Sequence, residues 1–514
     1  MNNVQLNQDS LQNVQILSSQ NISETKKKRI LILSDSVKRK TGYATVARNI
    51  IQNLLPTNKY EFGQLGLADI PILCPFNIAY YSQVKNHTKC CPSKGMCIEY
   101  KAPNTHQIEY LKLDVGYNAT TDQKPCIQGQ PELQDNYGFD SIYFVIQHFK
   151  PDIVIPINDL WGLYNIVHLK NRPCFKFIPY LAIDSECLFP GIAAPTGRPG
   201  LPHIDTVNTL GHSDKVIVFT DWAQQVIQKT VAAVSDGKNL GNLKTIPHGV
   251  DSKVWKPLEN RDELRKKYFN IDNKHFLIGS VARNQPRKRL DATLMTMRKF
   301  IDKYEQPNKK IMCYFHCSLE DKLGWDLEWL GKYYNVADRL IFDKRLQPGI
   351  GPTDEQLNEI VNCFDVHLSL TNSEGWHLPA LETAAAGIPN IITKYSAHAD
   401  WGKDTLMFCK VAEYEHEPRT NFIKAIADTD HAAHQLNLLY KSKELCKDYK
   451  KKGVKLGEKL DWVNVCKQWE EFLDTVDISN LKEDRYSDPA VLPDKELPQG
   501  QNMLKHFPKE ELNV

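Results

Sequence analysis

Residues 366–393 constrain the fold more tightly than any other stretch of the chain. An apolar run at 366–370 leads into a loop holding Ser373, Glu374 and Gly375, and a second apolar run begins at Ile388. Short apolar runs of this kind read as strands buried on both faces. Between them, Pro379 suits the first position of a helix, because its missing N–H would be unpaired there anyway. Gly387 suits the position just past the helix end, where chains commonly turn left-handed. Strand, loop, helix and strand in this order make a parallel unit. The helix start then stands at the carboxyl end of a strand, where open α/β sheets bind phosphorylated ligands. Glu374 falls in the loop and Glu382 in the first helical turn. The two acids are therefore not a pair on one helix face. They can reach two hydroxyl-bearing parts of one ligand while backbone N–H groups hold its phosphate.

The same alternation runs along most of the chain. Strand-like runs at 30–35, 152–158, 175–183, 215–220 and 243–247 are joined in part by amphipathic helices such as 43–55 and 222–234. A second series follows: strand 276–281, helix 290–304, strand 310–316, helix 325–334, strand 339–342. Thr353 and Gln356 then form a capping box that opens a helix running to residue 364. Continuous apolar strands alternating with helices imply two α/β domains, each with a parallel sheet covered on both faces. The expected division is a disordered tail over 1–27, a first domain over 28–247, a second over 248–460, a closing helix over 461–477 and a polar tail over 478–514. Residues 70–136 hold Cys74, Cys90, Cys91, Cys97 and Cys126 among Pro, Asn and Lys, and read as a long irregular insertion. His248-Gly249-Val250-Asp251 reads as a hinge in which Gly249 supplies unusual backbone torsions.

Bulk properties exclude several classes. A formal net charge of +2 over 514 residues gives no field that would draw nucleic acid or an anionic membrane. No apolar stretch reaches the length of a spanning helix, and the Asn- and Gln-rich start lacks the apolar core of a signal peptide. The 13 cysteines are odd in number, and Cys313, Cys363 and Cys409 sit in apolar runs, which reads as structural thiols in a reducing, cytoplasmic setting. Cys90 and Cys91 are adjacent and no C-x2-C pair is present, a poor spacing for structural zinc even with His87 and His106 nearby.

Two further loops carry chemistry. After strand 276–281 comes Arg283-Asn284-Gln285-Pro286-Arg287-Lys288-Arg289, with four cations at a strand's carboxyl end. Arg offers forked donors and Lys a compact charge, so this is a natural pyrophosphate clamp. Ser36 to Tyr43 joins the first strand to the first helix and contains Gly42. Asp159 and Asp184 each end a first-domain strand. Either can orient a hydroxyl or cap a turn. Asp428-Thr429-Asp430 has the D-x-D form of a metal motif, but no strand delivers it, and it reads as solvated surface.

Glu374-x7-Glu382, together with Arg283 and Lys288, resembles the motif set of retaining nucleotide-sugar glycosyltransferases of family four. The resemblance spans most of residues 29–475 and implies the GT-B architecture, two Rossmann-like domains facing a cleft. It also implies the roles. Arg283 and Lys288 would bind the donor diphosphate and stabilise the leaving charge. Glu374 would hold donor-sugar hydroxyls and Glu382 the ribose. The amides of Gly375, Trp376, His377 and Leu378 would line the phosphates, with Gly42 opposite, and Asp184 would touch the donor sugar. His377 departs from the pattern, which usually has Gly there, and its side chain either shapes the sugar pocket or packs away from it. The implied donor is a nucleotide sugar such as a UDP- or GDP-sugar, with no cofactor and no metal, since Arg283 and Lys288 supply the positive charge. The acceptor, whether glycan, lipid or protein, is open, and nucleic acid is disfavoured. The same architecture hosts sugar-nucleotide epimerases, phosphorylases and non-catalytic sugar- or nucleotide-binding relatives.

Overall fold

The computed structural model describes residues 26–70, 72–85, 96–105, 107–112, 141–163, 166, 173–187, 210–234, 240–347, 351–418 and 421–487. Two sheets organise it. The first comprises β1 (Lys28–Asp35), β2 (Tyr60–Leu67), β3 (Ala79–Lys85), β4 (Met96–Lys101), β5 (Ile108–Lys112), β6 (Ile153–Asn158), β7 (Lys176–Phe177), β8 (Tyr180–Leu181), β9 (Val216–Val218) and β10 (Leu243–Thr245). Its order is β10-β9-β8-β6-β1-β2-β3-β4-β5, with β7 paired to β6. The central pairs are parallel, as the unbroken apolar runs require, and residues 30–33 of β1 are fully buried. The expected single strand at 175–183 is split into β7 and β8, because Pro179 between them has no N–H to continue the ladder.

The insertion departs from its sequence reading. Its described residues form β3, β4 and β5, and the β3–β4 and β4–β5 pairs are antiparallel extensions of the parallel sheet. Tyr81 stacks on Tyr100 with ring centroids 4.8 Å apart. Cross-strand aromatic pairs of this kind stabilise an edge that composition alone reads as irregular. Residues 86–95, 106 and 113–140, which carry Cys90, Cys91, Cys126, His87 and His106, lie outside the described residues.

The second sheet is parallel throughout, in the order β13-β12-β11-β14-β15-β16. Its strands are β11 (His275–Val281), β12 (Lys310–His316), β13 (Leu340–Phe342), β14 (Val366–Ser369), β15 (Asn390–Thr393) and β16 (Met407–Cys409). A separate antiparallel hairpin, β17 (Val411–His416) with β18 (Ile423–Ala427), follows it. The Thr353 capping box is formed, though its helix ends at Val361.

The chain crosses back between the domains at one place. Val250 N donates to the Leu460 carbonyl at 2.9 Å, and Trp462 N donates to the Val250 carbonyl at 3.1 Å. Gly249 is needed here for room rather than torsion: its φ is not positive, and an added Cβ would lie 2.7 Å from the Trp462 ring. The helix Trp462–Thr475 then packs on the first domain, with fully buried Trp469 edge-on to Tyr180 at 4.9 Å. Burying such a ring contributes about 2–3 kcal/mol. The tail does not simply leave the surface: Arg485 pairs with Asp152, and the Tyr486 hydroxyl donates to the Pro151 carbonyl. Residues beyond 487 lie outside the described residues.

Candidate functional site

The cationic loop after β11 and the acidic loop after β14 are stitched together. Asn372 N donates to the Arg287 carbonyl at 2.9 Å, and the Thr371 hydroxyl donates to the same oxygen at 3.0 Å. In return Arg287 Nη1 donates to the Ser373 carbonyl at 3.1 Å and to Glu374 Oε2 at 2.8 Å. Lys288 Nζ donates to Glu374 Oε1. Glu374 N is fixed by the Ser396 hydroxyl at 2.9 Å. One buried carboxylate therefore sits between two cations at the carboxyl ends of adjacent parallel strands.

Burial pushes the Glu374 carboxyl up, but Lys288 and Arg287 outweigh it and hold the group well below the usual carboxylate range. Burial, with Arg287 alongside, lowers Lys288 to about 8 despite the opposing pull of Glu374. At neutral pH the cluster is thus one anion flanked by two cations. Arg287 belongs to this cluster. In the sequence it is one loop cation among four. Arg283 does not meet Glu374: its Nε donates to Asp321 at 2.6 Å, and its side chain is more than half exposed.

The helix after Glu374 spans Leu378–Ala385, with Pro379 as its second residue and Gly387 at φ +78° beyond its end. Glu382 is consequently its fifth residue, one position further in than the sequence suggests. Among the described residues, no hydrogen bond or ion pair of Glu374 reaches Glu382. Instead Glu382 lines a cavity of about 280 Å³ with Lys40, Arg48 and Asp354, between the first helix Gly42–Leu54 and the hinge. Burial first, then the Asp354 carboxylate, raises Glu382 to about 8, against Lys40 and Arg48. Lys40 closes over this cavity by pairing with Asp354 across the domains at 2.8 Å.

The first domain supplies the opposite wall. The Tyr43 hydroxyl donates to Asp159 at 2.7 Å, and burial raises the Asp159 carboxyl to about 6. The field of the Asp184 carboxylate acts to raise Arg287, Lys288, Tyr43 and Asp159, so this side chain stands near the cluster. Gly375 lies against the end of β8: an added Cβ would come within 3.1 Å of Ala182 Cβ. A Cβ on Gly42 would lie 3.9 Å from Leu378, so the two helix starts also meet.

Side chains 376 and 377 point elsewhere. Trp376 is buried and stacks on Trp401 at 5.3 Å, while its carbonyl accepts from Trp401 Nε1 at 2.8 Å. His377 takes φ +82°, a left-handed conformation that costs a non-glycine residue energy. Its ring packs inward beside His398 at 5.3 Å, with Nε2 3.3 Å from the Ser369 hydroxyl. Burial holds His377 neutral, well below its ordinary value. Its side chain is a packing residue under the loop. Asp428 caps the helix Thr429–Lys441, and Asp430 pairs with Lys299 and Lys303. Among the described residues no group of three or more His, Cys, Asp or Glu is set to hold a metal, and no helix is long and apolar enough to cross a membrane.

No protein-family model matches the chain, and no curated protein sequence matches it. Solved structures do. Sucrose-phosphate synthase from Thermosynechococcus elongatus is 13% identical with a TM-score of 0.56, covering 87% of this chain and 98% of its own. Anabaena HepE in complex with UDP and glucose is 11% identical with a TM-score of 0.55, covering 87% and 100%. WaaG, a glycosyltransferase involved in lipopolysaccharide biosynthesis, is 13% identical with a TM-score of 0.53, again over 87% and 100%. The fold is GT-B: two Rossmann-like domains facing a cleft, with the Arg287–Glu374–Lys288 cluster and Asp184 between them.

Proposed function

We propose that the chain is a glycosyltransferase that moves a sugar from a nucleotide-diphosphate donor to an acceptor hydroxyl with retention of configuration. The observation that carries this reading is the buried Glu374 flanked by Arg287 and Lys288 at the ends of β11 and β14. Gathering three charges at such depth is costly even when they pair, and a ligand bearing both anionic and hydroxyl groups gives the cluster a use. The diphosphate takes Lys288 and Arg287, with Arg283 as an outer cation. That frees Glu374 oxygens to accept from donor-sugar hydroxyls. The amides of Gly375 to Leu378 at the helix start line the phosphates, opposite Gly42. Glu382, with Arg48 and Lys40 beside it, holds the ribose in the adjoining cavity. Asp184 orients the sugar from the first domain.

In the reaction the bond from the anomeric carbon to the β-phosphate oxygen breaks, and a bond to the acceptor oxygen forms on the same face. The acceptor proton passes to the departing phosphate oxygen. Lys288 and Arg287 stabilise the charge that grows there, acting where it develops. This assignment needs no metal or other cofactor, and it fits a cytoplasmic enzyme drawing on a nucleotide-sugar pool. The acceptor class stays open among glycan, lipid and protein.

The test is a panel of UDP- and GDP-sugars scored for thermal stabilisation and for release of the nucleoside diphosphate. A ligand that favours the native state raises the melting temperature. The expected result is stabilisation by one donor, with free UDP or GDP as product. An epimerised nucleotide sugar or a sugar phosphate would replace this reading with an isomerase or phosphorylase.

A further inference from the structure

We infer that Lys424, on the β17–β18 hairpin, is a positioning residue that joins the two domains at the sugar site and aims Asp184 at the Glu374 loop. The inference rests on the function proposed above and adds a residue that neither the motif set nor the sequence reading contains. Lys424 is 5% exposed, and its Nζ donates to Ser185 Oγ and to Ser373 Oγ, each at 2.9 Å. Ser185 belongs to the first domain. Ser373 precedes Glu374 in the second. The nearest carboxylate oxygen is Asp184 Oδ2 at 3.9 Å, and Ser185 Oγ in turn donates to Asp184 Oδ1 at 3.1 Å.

An ammonium buried on two neutral hydroxyls, one loosely paired carboxylate and the Phe422 ring 5.5 Å away is an expensive way to join two surfaces. A neutral side chain would cross the gap at less cost. What the charge adds is orientation: two donors on one atom fix Ser185 and Ser373 relative to one another, and the same charge draws the Asp184 carboxylate, which Ser185 holds by a hydrogen bond. The rest of the hairpin is built for the same junction. Ile423 N donates to the Glu186 carbonyl across the domains at 3.2 Å. The Tyr395 hydroxyl donates to the Ile423 carbonyl at 2.8 Å and accepts from Glu186 N at 3.1 Å. Ala425 N donates to the Asn372 carbonyl at 3.0 Å, tying the hairpin to the loop that carries Glu374. Lys424, seated between Ser185 and Ser373, therefore holds Asp184 beside the loop that carries Glu374.

Two readouts test this, one of which does not need turnover. Lys424→Met keeps the aliphatic stem and removes the charge, while Lys424→Arg keeps the charge. Release of nucleoside diphosphate is measured with UDP-glucose, UDP-N-acetylglucosamine and GDP-mannose. For a donor that wild type uses, Lys424→Met is expected to lower kcat by about 100-fold with KM within about threefold, since a small misplacement near the chemistry costs that much. Lys424→Arg recovers part of the loss. Amide exchange of Ile423 is measured in the same variants without any sugar. It should quicken about tenfold in Lys424→Met while the amides of β11 stay as slow as in wild type, as expected of a local opening rather than global unfolding. Unchanged kcat and unchanged Ile423 exchange in Lys424→Met overturn the inference. If wild type uses none of the donors, the functional reading fails and the exchange result alone decides the role of Lys424. Should Lys424→Met fail to fold, Ser185→Ala removes one acceptor, and no quickening at Ile423 in that variant overturns the inference.

Discussion

Glu374 and Glu382 lie eight residues apart in one loop and helix, yet they sit in opposite electrostatic surroundings. Glu374 is clasped by Lys288 and Arg287 and held ionised. Glu382 is half-buried, with Asp354 as its strongest charged neighbour, and carries its proton up to about pH 8. The spacing is a property of the sequence, but the charge state is a property of what the other domain and the neighbouring strands bring. The difference divides the work. An ionised acid between two cations suits the place where a diphosphate leaves. A protonated acid in a polar cavity suits recognition of neutral hydroxyls.

The most forceful way to break this comparison is to empty one side of it. Lys288→Ala is expected to lower turnover by about 100- to 1,000-fold, the usual cost of removing one group that stabilises transition-state charge. Nucleotide affinity should change far less. Steady-state kinetics alongside calorimetric titration of UDP and GDP separates the two, and equal losses in both would contradict the assignment.

A gentler change titrates Lys288. Its ammonium is charged below about 8 and loses its proton above, so kcat/KM should fall as pH rises through about 8. Lys288→Arg, which stays charged, should flatten that limb. A pH profile that falls identically in both proteins would assign the limb to another group.

The remaining contrast is read in stability rather than turnover. Glu382 is raised from 4.5 to about 8, so between these values the folded protein keeps a proton that the unfolded chain has released. Stability therefore declines as pH rises through that window. Glu382→Gln cannot ionise, and its melting temperature should gain on wild type from about pH 5 to about pH 8 and level off above. A constant difference across that range would show that Glu382 has an ordinary carboxyl.

Sequence patterning reached the parallel core well, because residues such as Ile30 to Leu33 and Phe276 to Ile278 form unbroken apolar runs that are buried on both faces. It failed where pairing is long-range. The edge strands β3 to β5 hold through cross-strand aromatics such as Tyr81 and Tyr100 that no local window joins. At the site, Glu374 and Lys288 were legible from type and spacing. Arg287 rather than Arg283 as the second cation was not, since which side of a loop faces β14 depends on the turn Pro286–Lys288 and on Asp321 capturing Arg283. Lys424 was invisible for the same reason: it comes from a hairpin whose contact with Ser185 spans 239 residues. Gly249 shows a subtler gap, in that a glycine kept for room and one kept for torsion look alike in sequence.

The division of labour between the two acids can be read in one paired experiment. Glu374→Gln and Glu382→Ala are each titrated with the donor's nucleoside diphosphate by calorimetry and assayed for its release from the donor. Glu374→Gln is expected to lose turnover while retaining nucleotide affinity, and Glu382→Ala to weaken nucleotide binding while retaining kcat at saturating donor. The reverse pattern, or two variants that behave alike, would contradict this division.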